Sequence, residues 1–105
     1  MSHVLQPLVI VGASGFGREV ACLVEDINAS QPKWNLLGLV DDNLKDSTIE
    51  GFNILGALKD IYTIEPRPTI VVAIADPPTR KRLVEVLRYD GFEFATLIHP
   101  RSEER

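Results

Sequence analysis

Apolar residues along the chain follow two patterns, short unbroken runs and longer stretches with helical spacing. Residues 8–11 form an unbroken apolar run between Pro7 and Gly12, which is typical of a β-strand covered on both faces. In residues 18–28 the apolar positions instead recur every three or four residues, as on one face of an α-helix. The chain therefore opens with a predicted strand, a glycine-rich turn and a predicted helix.

The remaining pattern continues this alternation. We predict a second strand at 34–40, an extended piece at 51–56, a short helix at 57–62, a strand at 69–75, a helix at 79–89 and a last strand at 94–98. Strands that alternate with helices predict an α/β fold with a doubly wound, mostly parallel sheet of about five strands and flanking helices.

Composition and charge narrow the classes of function. The 105 residues include 11 basic and 15 acidic side chains, for a net charge of −4, and this balance disfavours a nucleic-acid partner. We expect one domain over residues 1–100, with 101–105 as a charged, frayed tail. A single cysteine, Cys22, excludes an internal disulfide, and His3 and His99 lie at opposite ends, so we predict no metal site. Without a long apolar run or a secretory signal, we expect a cytoplasmic protein with no membrane partner.

The glycine-rich turn after the first strand is the main candidate for chemistry. Gly12, Ser14 and Gly17 follow the spacing of a dinucleotide-binding fingerprint, with Ser14 in place of its second glycine. Gly12 would permit the sharp turn, Gly15 would add flexibility, and Gly17 would let the helix pack closely on its strand. Free N–H groups at such a helix start favour a phosphate. Phe16 projects from this loop, either to cover a ligand or to plug the domain top; the alternative for the whole loop is a helix start that binds nothing.

Charged residues follow two other predicted strands. Asp41 and Asp42 come directly after the second strand, where dinucleotide folds place an acid that accepts hydrogen bonds from ribose, and we favour Asp41 because it is nearer the strand. Asp76 ends the strand at 69–75, and Arg80 lies in the first turn of the next helix, on its inward face. Arg80 is the best side-chain candidate for binding a phosphate or carboxylate. The alternatives are a solvated turn for the two acids and an ion pair between Arg80 and Asp76.

These segments, taken in order, resemble a known family. The sequences GASGFGREV at 12–20, VDDN at 40–43, GFNILG at 51–56, VAIAD at 72–76 with the later Arg80, and FATLIHP at 94–100 are similar to the N-terminal domain of bacterial sugar O-/N-acyltransferases. This family includes sialic acid O-acetyltransferase-like proteins and the acetyltransferases of pilin-glycan and bacillosamine synthesis. The resemblance covers nearly the whole chain, from about residue 8 to residue 100.

The resemblance implies a small Rossmann-like domain that binds a nucleotide-sugar, usually a UDP-amino sugar. Gly12, Ser14, Gly15, Phe16 and Gly17 would then line the phosphate end of the pocket. Asp41 and Asp42 would lie near the nucleoside, and Asp76 and Arg80 would flank the crevice. Family members often have His where this chain has Phe16, so Phe16 bears directly on specificity.

In the same family a trimeric hexapeptide-repeat β-helix follows this domain, binds acetyl-CoA and supplies the catalytic histidine. The chain ends where those repeats would start, so the alternative to a frayed tail at 101–105 is the truncated start of this absent domain, although 101–105 does not resemble a repeat. We therefore expect no catalytic residue and no bound cofactor in this chain, with acetyl-CoA used by the parent enzyme and a trimer formed only with the repeat domain. Two other functions stay open: a standalone NAD-type dinucleotide-binding regulatory module, and an interaction domain without a ligand.

Overall fold

Five strands and three helices make up the part of the chain that the computed structural model describes, residues 4–44 and 46–100. In chain order these elements are β1 (Gln6–Val11), α1 (Gly15–Ser30), β2 (Trp34–Val40), β3 (Thr48–Ile49), β4 (Phe52–Gly56), a 3-10 helix (Leu58–Thr63), β5 (Thr69–Val72) and α2 (Pro77–Tyr89). The expected frayed tail at 101–105 and His3 lie outside the described residues.

The strands form one sheet in the order β3-β4-β2-β1-β5. β1 lies inside the sheet and pairs in parallel with β2 and with β5, and β2 pairs in parallel with β4. Only the two-residue β3 runs antiparallel, against β4 at the edge. The predicted α/β fold with a mostly parallel sheet is confirmed.

Alternate side chains of β1 supply two separate hydrophobic layers. Ile10 packs with Val20 of α1 on one face of the sheet, whereas Val9 and Val11 pack with Leu87 of α2 on the other face. All five of these side chains are buried. Helices α1 and α2 therefore cover opposite faces, and the sheet changes its winding direction between β1 and β5. In doubly wound sheets a crevice forms outside the carboxyl ends of the strands at this point.

The prediction of a last strand at 94–98 is wrong. Residues 94–98 contribute one parallel bridge, between Ile70 and Phe94, instead of a strand. Phe94 nevertheless packs on the α2 face and Leu97 on the α1 face, so the apolar side chains of this segment are buried on both faces without a ladder of backbone hydrogen bonds. The prediction of a strand at 69–75 is also too long, because β5 ends at Val72. The strand at Thr48–Ile49 was not predicted, since the sequence there is polar and irregular.

None of the helices in residues 4–44 and 46–100 combines the length and the apolar character needed to cross a bilayer. Within the same residues, no three or more His, Cys, Asp or Glu side chains are grouped so as to hold a metal ion.

Candidate functional site

Two glycines bring the first turn, helix α1 and β5 into close contact. Gly12 has φ +111°, its N–H donates to the Val40 carbonyl at 2.8 Å, and a Cβ there would lie 2.6 Å from the Ala73 carbonyl oxygen. A Cβ at Gly17 would lie only 1.9 Å from the carbonyl oxygen of Gly12. Neither position has room for a larger residue, so both glycines are required for the helix to start this close to the sheet.

The side chain of the N-cap residue binds none of the first N–H groups of α1. Ser14 is the N-cap residue, but its side chain makes no capping hydrogen bond. The first helical bond runs from the Arg18 N–H to the Ser14 carbonyl at 3.0 Å, so the amides of Gly15, Phe16 and Gly17 have no acceptor within the helix. Ser14, Gly15 and Phe16 are exposed. Open amides and the helix dipole at this end favour an anionic ligand.

The two acids after β2 both contact backbone N–H groups. Asp41 is half-buried and accepts the Ala13 N–H at 3.0 Å through Oδ2 and the Asn43 N–H at 2.8 Å through Oδ1. Asp42 is exposed and accepts the Leu58 N–H at 2.8 Å through Oδ1. The structure therefore connects both acids to the loops around the end of β2, rather than leaving them as a freely solvated turn.

A cavity of about 270 Å³ lies at the carboxyl edge of the sheet, beside the first turn. Three of its wall residues are predicted site residues, Gly12, Asp41 and Asp42. The rest of the wall comes from Val11, Val40, Asn43, Leu58, Ile74, Thr79 and Leu83. Three further depressions, of about 300, 530 and 550 Å³, contain at most one predicted residue each, Gly15 in the second of them. The cavity at the carboxyl edge therefore brings three of the nine predicted site residues together, and the other six lie outside its wall.

Asp76 and Arg80 lie near this edge but outside the cavity wall. Asp76 is the N-cap of α2, where its Oδ2 accepts hydrogen bonds from the N–H and the hydroxyl of Thr79, and these bonds lower the pKa of the Asp76 carboxyl. Arg80 is half-buried and donates from Nη1 to the Ile74 carbonyl at 3.2 Å. The ion pair between Arg80 and Asp76 does not form, because each side chain binds a different partner.

Phe16 and His99 lie apart from the cavity wall. Phe16 is 39% exposed and belongs to none of the hydrophobic clusters, so it does not plug the top of the domain. His99 Nε2 lies 3.2 Å from Oδ2 of Asp26 on α1. That acid is 73 positions away, so spacing in the sequence does not reveal the pair.

Sequence reasoning missed Leu58, Thr79 and Leu83 as wall residues. Leu58 reaches the cavity because the 3-10 helix starts against Asp42, and Thr79 because α2 starts against Asp76. A short 3-10 helix has little periodic signal, whereas an aspartate followed by proline is a recognisable helix start.

Comparison with known proteins gives the family. A family model described as the PglD N-terminal domain matches residues 7–87, which is more than half of the chain. The chain belongs to the PglD N-terminal domain family. This result confirms the resemblance to the N-terminal domain of pilin-glycan acetyltransferase-like enzymes. No match to this PglD N-terminal domain is found among curated proteins.

Two solved structures share the fold of this PglD N-terminal domain. One is the acetyltransferase domain of PglB from Neisseria gonorrhoeae FA1090 in complex with acetyl coenzyme A, with a TM-score of 0.73 and 23% identity over 92% of this chain. The other is the same PglB domain described without the coenzyme, with a TM-score of 0.73 and 26% identity over 90% of this chain. The chain spans 45% of the length of each.

Proposed function

We propose that this domain binds the nucleotide-sugar substrate of an acetyltransferase, a UDP-sugar or UDP-amino sugar, at the carboxyl edge of its sheet. The observation that carries the proposal is the cavity of about 270 Å³ walled by Gly12, Asp41 and Asp42. It lies at the carboxyl ends of the neighbouring strands β2, β1 and β5, where the sheet changes its winding direction, which is the usual ligand position in doubly wound sheets.

The hydrogen-bond donors around this edge fit a nucleoside diphosphate. In our proposal the phosphates bind the open amides of Gly15, Phe16 and Gly17, since these N–H groups have no acceptor in the helix. Arg80 adds a positive charge beside the crevice, and its guanidinium has donors beyond the one that binds the Ile74 carbonyl. The nucleoside would occupy the cavity beside the two acids of the β2 turn.

Acetyl transfer in this proposal belongs to the longer parent enzyme. The PglB structure described with acetyl coenzyme A is more than twice as long as the matched region, and this domain corresponds to 45% of it. We assign substrate binding to the present domain, and acetyl-CoA binding, catalysis and the trimer to the hexapeptide-repeat domain of the parent enzyme.

Calorimetric titration of the chain with UDP, UDP-N-acetylglucosamine and NADH tests the proposal. We expect both uridine nucleotides to bind, with the sugar nucleotide at least as tight as UDP, and no heat from NADH. Binding of NADH without UDP would favour a dinucleotide-binding regulatory module instead. Absence of binding by either uridine compound at millimolar concentration would contradict the proposed function.

The variant Arg80→Ala tests the phosphate contact. If Arg80 binds a phosphate, its loss weakens UDP binding by about 1.5–3 kcal/mol, the range for hydrogen bonds to charged groups. Arg82→Ala is the matched control, because Arg82 is an exposed arginine of the same helix. Equal affinity of the Arg80→Ala variant and the wild type would limit Arg80 to its contact with the Ile74 carbonyl.

A further inference from the structure

The adjacent acids of the β2 turn differ in how many acceptor oxygens they have left. Both oxygens of Asp41 accept backbone hydrogen bonds, from Ala13 on one side and Asn43 on the other. Asp42 uses only Oδ1, for the Leu58 N–H, and within the described residues its Oδ2 accepts no hydrogen bond. Both residues line the cavity, and Asp42 is the one of the two whose carboxylate keeps an unused acceptor oxygen for a ligand.

Asp41 connects two walls of the cavity. Ala13 follows the wall residue Gly12, and Asn43 is itself a wall residue, so one carboxylate bridges the glycine loop and the β2 turn. The backbone N–H of Asp41 also donates to the Gly56 carbonyl at 2.9 Å, which anchors the residue to the end of β4. Only a carboxylate provides two acceptor oxygens at this position, because an amide side chain provides one.

We propose that Asp41 is a positioning residue that holds the glycine loop and the β2 turn at a fixed separation, and that Asp42 supplies the acceptor for a ribose hydroxyl. This inference rests on the proposed function. It reverses the sequence-based preference for Asp41, because the acid nearer the strand is already engaged by the backbone. It also assigns the recognition of the sugar hydroxyls to the neighbouring side chain.

Affinity measurements with two nucleotides and three variants distinguish the positioning role of Asp41 from the ligand contact of Asp42. The affinities of UDP and of 2′,3′-dideoxy-UDP are measured for the wild type and for Asp41→Asn, Asp42→Asn and Asp46→Asn. Asp46 is the matched control, since it is an exposed aspartate of the same loop that lies outside the cavity wall. The Asp42→Asn variant keeps an oxygen for the Leu58 N–H and replaces only the open acceptor.

We expect the wild type and Asp46→Asn to prefer UDP over the dideoxy nucleotide by roughly tenfold or more, as for a hydrogen bond to a charged group. Asp42→Asn is expected to lose that preference, with an unchanged affinity for the dideoxy nucleotide. Asp41→Asn is expected to weaken both nucleotides by the same factor and to retain the preference, because it displaces the loop rather than a ligand contact.

The experiment distinguishes a failure of this inference from a failure of the proposed function. Loss of the ribose preference in Asp41→Asn and its retention in Asp42→Asn would overturn this inference and leave the proposed function intact. Equal binding of the two nucleotides by the wild type would do the same. No binding of UDP by the wild type would instead contradict the proposed function, and the inference with it.

A measurement on the wild type covers the case in which Asp41→Asn does not fold. NMR detects scalar coupling across a hydrogen bond, here between the Ala13 amide nitrogen and the Asp41 carboxyl carbon. We expect this coupling without ligand and at saturating UDP, since Asp41 stays bound to the loop. Its disappearance on UDP binding would show that Asp41 turns to the ligand, which would overturn the positioning role.

Discussion

The two long helices start at the same edge of the sheet, but only one of them leaves its first N–H groups open. At the start of α2, Asp76 accepts hydrogen bonds from the N–H and the hydroxyl of Thr79, and Pro77 and Pro78 have no N–H to satisfy. At the start of α1, Ser14 makes no side-chain cap. One helix start is thus completed by its own residues, and the other has donors available for an anion.

This difference shows why an acidic residue at a carboxyl edge is weak evidence for a binding site. From the sequence, Asp76 and the glycine loop are both candidates, because each follows a buried strand. In the structure the Asp76 carboxylate serves as a helix cap, whereas the open amides follow Ser14, where a serine predicts a cap that does not form. In the proposed function, a ligand at this edge is bound by the unsatisfied N–H groups of α1, which the residue types alone do not reveal.

The largest expected effect on stability comes from adding a side chain at Gly17, where the first turn of α1 packs against the Gly12 carbonyl. Gly17→Ala is expected to reduce the free energy of unfolding by about 3 kcal/mol or more, since its Cβ would overlap the Gly12 carbonyl oxygen. Gly15→Ala is the matched control, because its Cβ would meet only the end of the Arg18 side chain at 3.9 Å. That variant is expected to gain about 0.4–1 kcal/mol through a less flexible unfolded chain. Urea unfolding measures both, and similar stabilities of the two variants would contradict the packing role of Gly17.

An effect of intermediate size on stability is expected at the start of α2, which Asp76 caps, and this effect depends on pH. Hydrogen bonds from Thr79 lower the pKa of Asp76 below its ordinary value of 3.8, so the ionised carboxylate stabilises the fold above that pH. This contribution is lost as the pH falls through the lowered pKa. Asp76→Asn therefore shows a shallower loss of stability in acid than the wild type.

Thermal unfolding between roughly pH 5 and pH 2 measures the effect of Asp76→Asn. Glu85→Gln is the control, an exposed acid of the same helix. Parallel stability profiles for Asp76→Asn and the wild type would contradict the capping role. The affinity for UDP is expected to stay unchanged in Asp76→Asn, because the asparagine oxygen still accepts a hydrogen bond from the Thr79 N–H and so keeps this wall residue in place.

The smallest effect on stability is expected at Phe16, in the first turn of α1. Phe16→Ala is expected to change the free energy of unfolding by no more than about 0.5 kcal/mol, since the ring is exposed and outside the hydrophobic clusters. Phe92→Ala provides the comparison, because the Phe92 ring is buried in the cluster on the α2 face. A large loss of stability in Phe16→Ala would show that its ring supports the loop.

The order of the elements and the burial of β1 on both of its faces can be predicted from the sequence, because both depend on local apolar patterns. Residues 8–11 and 34–40 are unbroken apolar runs or nearly so, and the structure has strands there. The predicted strand at 94–98 shows the limit of this reasoning. Side chains of this segment reach both faces of the sheet, but its backbone pairs with β5 only at the single bridge between Ile70 and Phe94.

The site was less predictable than the fold, because its decisive contacts join distant parts of the chain. Gly12 and Gly17 have a recognisable spacing, so their role in the turn is readable from the sequence. The bond from Ala13 to Asp41 spans 28 positions, and the bond from Leu58 to Asp42 spans 16. No local pattern states which carboxylate oxygens the backbone will occupy.

An NMR titration of the wild-type chain with UDP, followed through backbone amide shifts, tests the central claim most directly. The account predicts the largest shifts at the amides of Gly15, Phe16 and Gly17 and in the β2 turn, with smaller shifts at Thr79 and Arg80, whose N–H groups already bind Asp76. Saturating UDP that shifts the first turn of α2 and leaves the first turn of α1 unchanged would contradict it.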